Sequence, residues 1–240
     1  MNIALIGYGK MGKAIEQIAE NRGHKITIIC NSELSVKHAD FSNVDIAIEF
    51  TQPKLAINHI DFCLESKIPI VVGTTGWNDQ LNYVKGRVND LNGSLLHASN
   101  FSIGVNVFFE LNKKLAQLMS GKNEYKASIE EIHHLQKIDS PSGTSISIAD
   151  NILENNSDYL SWVLGNNEVP HTNKNQLSLT SYRKPDVPGT HNVKYASDID
   201  TIEIIHEAHN RKGFALGAVI AAEWLYGKEG IFQMNDVLNF

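Results

Sequence analysis

The chain has 240 residues, 42% apolar and 20% charged, enough to bury one large core or two modest ones. A formal net charge of −6 argues against a nucleic-acid partner, which selects for a basic surface, but leaves room for a local anion site. Its two cysteines, Cys30 and Cys63, have no metal-type spacing, which excludes a disulfide scaffold and fits a reducing compartment.

The N-terminal apolar run lacks a basic flank and is too short for a signal peptide, and no stretch reaches the length of a membrane span. We therefore expect a cytoplasmic protein with no membrane association.

N-I-A-L-I (residues 2–6) is a short apolar run that stops at a glycine cluster, as a buried parallel strand does. Met11, Ile15, Ile18 and Ala19 then share one helical face, which gives way at Gly23. K-I-T-I-I-C (25–30) reads as a second strand and V-D-I-A-I-E-F (44–50) as a third. Pro53 opens a helix to about Ser66, I-P-I-V-V-G (68–73) is a fourth strand, 77–88 is a helix and S-L-L-H (94–97) a fifth strand. Strands alternating with helices predict a doubly wound, Rossmann-like α/β domain built on a parallel sheet.

After Phe101 the rhythm changes. A helix over roughly 104–119 leads to the extended run Y-K-A-S-I-E-E-I-H-H, and a second helix follows Ser-Pro-Ser-Gly-Thr. Residues 155–175 are polar and read as a long loop; strands follow at 176–183, 190–196 and 201–208. Strands in series predict a smaller α+β domain with an antiparallel or mixed sheet. The apolar helix 214–226 is too short to cross a bilayer and should return to the first domain. The boundaries expected are 1–101 completed by 212–240, and 102–211.

G-Y-G-K-M-G supplies Gly7, Gly9 and Gly12 between a strand and a helix, the pattern of a dinucleotide-binding turn. Gly7 permits the turn, Gly9 lets a pyrophosphate approach the backbone, and Gly12 lets the helix pack on the strand. The acidic residue that usually ends the second strand is absent; Asn31 stands there, followed by Ser32 and Glu33, and does not choose between NAD and NADP. G-T-T-G (73–76) and A-S-N-F-S (98–102) follow the fourth and fifth strands, where ligands gather in such sheets.

E-I-H-H-L-Q-K-I-D-S-P-S-G-T-S (131–145) combines proton-transfer groups, a cation and an anion-binding turn. Consecutive strand residues face opposite ways, so His133 and His134 would poorly chelate one metal, and no metal site is expected. Separate jobs suit them better, a proton donor or acceptor and a hydrogen-bonding contact. Lys137 is a point cation for a carboxylate, and Ser142 can cap a helix whose N–H groups at Gly143 and Thr144 favour an anion. Together these groups describe reduction of a small dicarboxylate by a nicotinamide cofactor.

The ordered segments G-Y-G-K-M-G, E-F-T-Q-P, V-V-G-T-T-G-W, A-S-N-F-S-I-G-V-N, H-H-x-x-K-x-D-x-P-S-G-T, P-G-T-H-N-V, G-A-V-I-A-A-E-W-L and G-I-F-Q-M-N-D-V-L span nearly the whole chain. In these the chain resembles the 4-hydroxy-tetrahydrodipicolinate reductase (dihydrodipicolinate reductase) family of bacterial diaminopimelate and lysine biosynthesis. The resemblance implies an NADH- or NADPH-dependent oxidoreductase that reduces 4-hydroxy-tetrahydrodipicolinate to tetrahydrodipicolinate with loss of water.

It also implies His133 as general acid and Lys137 as second acid and carboxylate contact, with His134, Ser142, Gly143 and Thr144 on the substrate. The cofactor contacts implied are Gly7, Tyr8, Gly9, Lys10, Met11, Gly12, Gly73, Thr74, Thr75, Ala98, Ser99, Asn100 and Phe101, with Asn31 on the adenosine side. It further implies a homotetramer formed through the second-domain sheets.

The chain departs from the family at Asn31-Ser32, where an acid or an acid–arginine pair is usual, and in residues 31–43, which are short for a crossover helix. Two rivals are a non-catalytic dinucleotide sensor, which would not need His133, Lys137 and Ser-Gly-Thr together, and a reductase of another unsaturated dicarboxylate. A thiohemiacetal mechanism lacks a well-placed cysteine.

Overall fold

The apolar run at the N-terminus is a central strand of a fully parallel sheet. The computed structural model describes residues 1–165, 173, 175–210 and 212–240. The elements of its first part are β1 (Asn2–Ile6), α1 (Lys10–Asn21), β2 (Lys25–Cys30), β3 (Ile46–Glu49), α2 (Pro53–Glu65), β4 (Ile70–Val72), α3 (Leu81–Asp90) and β5 (Ser94–His97). The second part follows with α4 (Ile103–Met119), β6 (Lys126–His133), α5 (Gly143–Asn155), β7 (Ser161–Gly165), β8 (Gln176–Arg183), β9 (Gly189–Ala196) and β10 (Thr201–Ala208). The chain ends with α6 (Lys212–Leu225), β11 (Gly230–Phe232) and α7 (Met234–Leu238).

The chain divides into two units, Met1–Ile103 with the C-terminal segment to Phe240, and Gly104–Asn210. In the first unit the strand order is β11-β5-β4-β3-β1-β2, every pairing parallel. Such a sheet is buried on both faces, which is why β1, β3, β4 and β5 are apolar runs rather than alternating ones.

One face is covered by α1 and α6, through Ile15 and Ala19 of the former and Ala215, Val219, Ala222 and Leu225 of the latter. The other is covered by α2 and α3, through Ala56, Ile60, Leu64, Val84 and Val88. Pro53 sits at the first position of α2, where its missing N–H costs nothing. Between β2 and β3 there is only a one-turn 3-10 helix, Val36–His38, as the shortness of that connection implies.

The second unit has the strand order β10-β9-β6-β8-β7, antiparallel on the β10 side of β6 and parallel on the β7 side. This is the mixed sheet of an α+β unit. Its strands alternate, with Ala127, Ile129, Leu177, Leu179, Val193 and Tyr195 packed against α4 and α5.

Two expectations change. The loop read over 155–175 contains a strand, β7, which pairs in parallel with β8 from Ser161 to Gly165; residues 166–172 and 174 of that loop lie outside the described residues. Five residues with one Trp, one Val and one Leu carry too little periodicity to stand out, and the pairing with β8 supplies what local preference does not. The second is β11, three residues that extend the parallel sheet beside β5 and were not anticipated from so short a segment.

Candidate active site

In the first unit, the turn after β1 holds the glycines at the point where β1 lies between β2 and β3, the switch point of the strand order. Gly7 has φ +100°, and a Cβ there would lie 2.1 Å from the Phe50 carbonyl oxygen at the end of β3. A Cβ on Gly12 would lie 2.3 Å from the Gly7 carbonyl oxygen, so the start of α1 and the turn touch backbone to backbone. Gly9 is different: among the described residues, its own chain neighbours aside, nothing lies within 4 Å of where its Cβ would be.

Gly9 also provides no side-chain cap, so the first N–H groups of α1, at Lys10 and Met11, face outward at the positive end of a twelve-residue helix. Two glycines made obligatory by packing and one left open beside bare N–H groups fit a pyrophosphate cradle. Tyr8 donates its hydroxyl to Glu16 of α1, and Lys13 lies over its ring.

The neighbouring loops are tied to this turn. The Thr51 N–H donates to the Thr74 hydroxyl at 2.7 Å, and the Trp77 indole donates to the Thr74 carbonyl at 2.7 Å. Thr74 is therefore buried, while Thr75 is exposed; a Cβ on Gly73 would strike the Phe50 ring. Ala98 continues β5, donating to the Val72 carbonyl. Asn100 is buried and accepts from the Ser102 N–H, and Ser99 is exposed. Phe101 is core, 2% exposed and packed against Phe50 with ring centroids 5.7 Å apart.

Asn31 turns its side-chain oxygen inward to accept from the N–H groups of Glu33 and Leu34, so its free amide face is a donor. Cys30 and Cys63 are buried thiols, Cys30 pushed up to about 11 by burial and Cys63 further still, which disfavours the reactive thiolate.

In the second unit, β6 ends at His133 and α5 begins at Gly143, so the loop between them returns to the strand it left. Ser142 is the N-cap of α5: its hydroxyl accepts from the Ser145 N–H at 3.1 Å and approaches His191 Nε2 at 3.3 Å. With Ser142 buried in this way, the turn offers outward the backbone N–H groups of half-buried Thr144 and exposed Gly143. Lys137 holds both oxygens of Asp139 at 2.8 Å, and Arg183 at the end of β8 donates to the carbonyls of Lys137 and Asp139, clamping the loop. His134 follows the strand, its carbonyl accepting from the Lys137 N–H.

Beside His133 lies Glu131, two residues earlier on the same face of β6 and completely buried. Its carboxylate accepts from the Ser142 N–H at 3.1 Å, the Ser145 hydroxyl at 2.6 Å and the Ser181 hydroxyl at 2.5 Å. His133 Nδ1 is 3.5 Å from it and Arg183 is 3.7 Å away.

A profile of the family described as dihydrodipicolinate reductase, C-terminus, matches residues 104–238, and its N-terminal counterpart matches residues 29–101. A protein of Christiangramia forsetii named 4-hydroxy-tetrahydrodipicolinate reductase is 49% identical over all of this chain and 98% of its own length. The chain belongs to the dihydrodipicolinate reductase family. It is an oxidoreductase.

A second reductase of the same name, from Buchnera aphidicola of Schizaphis graminum, is 32% identical over 92% of this chain and 82% of its own length. A solved structure, a dipicolinate-bound dihydrodipicolinate reductase from Paenisporosarcina sp. TG-14, shares the fold with a TM-score of 0.75 over 97% of both chains, at 20% identity.

The glycine turn of this reductase precedes the region matched by the N-terminal profile, so its case rests on the geometry given above. Among the described residues no helix is long and apolar enough to cross a membrane.

The electrostatics of the reductase centre on Glu131. Burial works to raise its carboxyl, but the donors on Ser142, Ser145 and Ser181 and the His133 charge outweigh that and hold it down to about 2. Burial pushes His133 down, with Lys137 and Arg183 adding to the push and Glu131 and Asp139 opposing it. His191, deeper still, is pushed down to about 3 by burial and stays neutral.

Among the described residues, Glu131, His133 and His191 bring donor atoms within 4.8 Å of one another, a grouping that the spacing of His133 and His134 did not disclose. Both Glu131 oxygens are already engaged by hydrogen-bond donors, with Arg183 alongside, which is the environment of an anion anchor. Glu131, Arg183, Gly189 and His191 carry no role that their local sequence announces; alternation on β6 puts Glu131 beside His133, but only pairing with β8 and β9 brings the others there.

Proposed function

We propose that this protein reduces 4-hydroxy-tetrahydrodipicolinate to tetrahydrodipicolinate with NADH or NADPH, water being lost, in diaminopimelate and lysine biosynthesis. The observation that carries the reading is the second unit's arrangement of a buried proton donor, a cation and bare helix N–H groups within one strand–loop–helix segment, in a chain of this family. The bound nicotinamide supplies hydride to the unsaturated ring. Everything else falls to the chain's own side chains.

In this reading the first unit binds the cofactor. The N–H groups of Lys10 and Met11 at the head of α1 would hold the pyrophosphate, with Gly9 leaving room for it, and the loops of Thr74, Thr75, Ala98 and Ser99 would contact the nicotinamide half. The second unit binds the substrate. Lys137 exchanges Asp139 for one substrate carboxylate, the N–H groups of Gly143 and Thr144 take the other, and His134 adds a hydrogen bond. His133 gives its proton to the ring carbon; burial and the neighbouring cations lower its affinity for the proton and so make it a stronger acid.

The free amide of Asn31 neither repels a 2′-phosphate, as a carboxylate would, nor pairs with it as arginine does, so both coenzymes are admitted. The buried, unpaired cysteines suit a cytoplasmic setting. Assembly into a homotetramer would use the sheet face turned away from α4 and α5, where Ile132 and the 58%-exposed Ile205 lie.

The test is substrate-dependent oxidation of NADH and NADPH in parallel, with substrate generated in place from pyruvate and aspartate semialdehyde by the enzyme of the preceding step. Turnover with either coenzyme supports the reading, and His133→Gln should cut kcat by about 10²- to 10⁴-fold while leaving coenzyme affinity unchanged. Coenzyme binding without turnover would move the assignment to a dinucleotide sensor or to another dicarboxylate.

A further inference from the structure

His133 has two ring nitrogens in different surroundings. Nδ1 is buried and faces Glu131 Oε2 at 3.5 Å, with no full hydrogen bond to any described group. Nε2 points the other way, toward Gly189 on β9, where a Cβ would come within 3.1 Å of it. The Nε2–Cδ2 edge of the ring takes the space that a side chain at position 189 would fill. His191 packs edge-on to the ring, centroids 5.1 Å apart and planes at 71°, and limits its rotation.

Glu131 in turn is held from two elements. Its oxygens are pinned by the head of α5 through Ser142 and Ser145, and by β8 through Ser181. A carboxylate that is fully buried, ionised and hydrogen-bonded on both oxygens beside one nitrogen of an imidazole biases which nitrogen carries the proton.

We infer that Glu131 is the positioning residue for the proton donor: it holds His133 with hydrogen on Nδ1, stabilises the imidazolium, and leaves Nε2, over Gly189, as the atom that gives the proton to substrate. The same residue anchors the helix terminus that would hold a substrate carboxylate, so a single buried anion sets the register of both functions. This rests on the reductase reading.

The groups that face His133 are Glu131 on its own strand, Lys137 and Asp139 of the following loop, Arg183 of β8 and His191 of β9, itself near His206 of β10. His191 is neutral. Removal of the Glu131 charge therefore leaves Lys137 and Arg183 opposed by Asp139 alone, and the imidazolium becomes less stable.

Two measurements test the inference. In Glu131→Gln, kcat should fall by about 10- to 100-fold, and the pH at which kcat/KM declines should move down by about one unit or more, with coenzyme affinity unchanged and Glu131→Asp recovering part of both. A folded Glu131→Gln protein with the wild-type pH profile overturns it. The second measurement needs no variant at position 131: ¹⁵N chemical shifts of the His133 ring, assigned by comparison with His133→Gln, should show the Nδ1–H tautomer in the neutral wild-type protein.

An Nε2–H tautomer overturns the inference even if Glu131→Gln does not fold. A wild-type protein that binds coenzyme but turns over no substrate sinks the reductase reading, while the ring spectrum still decides the Glu131–His133 pairing.

Discussion

At Gly189 the molecule gives up a side chain so that an imidazole can occupy the space. A Cβ there would sit 3.1 Å from His133 Nε2 and 3.3 Å from Cδ2, close enough to force the ring to shift by a few tenths of an ångström. That ring is confined by Glu131 and His191, so the displacement falls on the proton donor rather than on the fold. Gly189→Ala should lower kcat by up to about tenfold with little change in melting temperature, since misplacement by a full ångström costs about a hundredfold. Steady-state kinetics beside a thermal melt would check both halves.

Glu131 also links acid to stability. Its carboxyl lies at about 2 in the folded chain against an ordinary 4.5, so the stabilisation is complete above pH 4.5 and is lost as pH falls through 2. The size is on the order of 3 kcal/mol, at roughly 1.4 kcal/mol for each pKa unit. Between pH 7 and 3, denaturant unfolding of the wild type should lose more stability than that of Glu131→Gln. Equal losses would mean that the buried carboxylate is not held in its charged form.

Elements place these residues. The turn between β1 and α1 separates packing from binding within six positions, because Gly7 and Gly12 face backbone while Gly9 faces open space. Gly7→Ala should destabilise the first unit by about 2 kcal/mol or more, since it combines a positive φ with a collision against the Phe50 carbonyl. Gly9→Ala should fold normally and weaken coenzyme binding alone. Unfolding curves and coenzyme titration of the two variants would separate these effects; a Gly9→Ala protein with native coenzyme affinity would remove the pyrophosphate from this turn.

In the second unit the comparable device is the loop from β6 to α5. It is closed at one end by the Ser142 cap, worth about 1 kcal/mol. At the other end Arg183 holds the carbonyls of Lys137 and Asp139.

Over the whole molecule, the first unit is assembled from both ends of the chain. The last segment supplies β11 at the sheet edge and α6 over one face, and α6 alone contributes Ala215, Ala218, Val219, Ala221, Ala222 and Leu225 to the core around β1 and β3. Each large apolar side chain uncovered costs about 1.5–3 kcal/mol, and a domain has only about 5–15 kcal/mol to lose. A chain truncated after residue 210 should therefore fail to form a cooperatively folded first unit. Loss of the sharp thermal transition and of coenzyme binding would show it, whereas native-like binding would mean that the remaining strands with α1, α2 and α3 suffice.

The parallel sheet was legible because a strand buried on both faces must be a short apolar run, and an amphipathic helix between such runs leaves a 3.6-residue period. Asn2–Ile6 and Ser94–His97 appear where that logic puts them. The glycine turn and the segment 131–145 could be picked out because local chemistry is written in adjacent residues. Other features depend on partners far along the chain. β7 and β11 are too short to carry a period, and exist because β8 and β5 offer them hydrogen bonds. Glu131 in a list of residues is one more acid on a strand; pairing with β8 and β9 brings Ser181, Arg183 and His191 around it. Burial makes the difference, because removing water from that carboxylate is what makes each distant donor count.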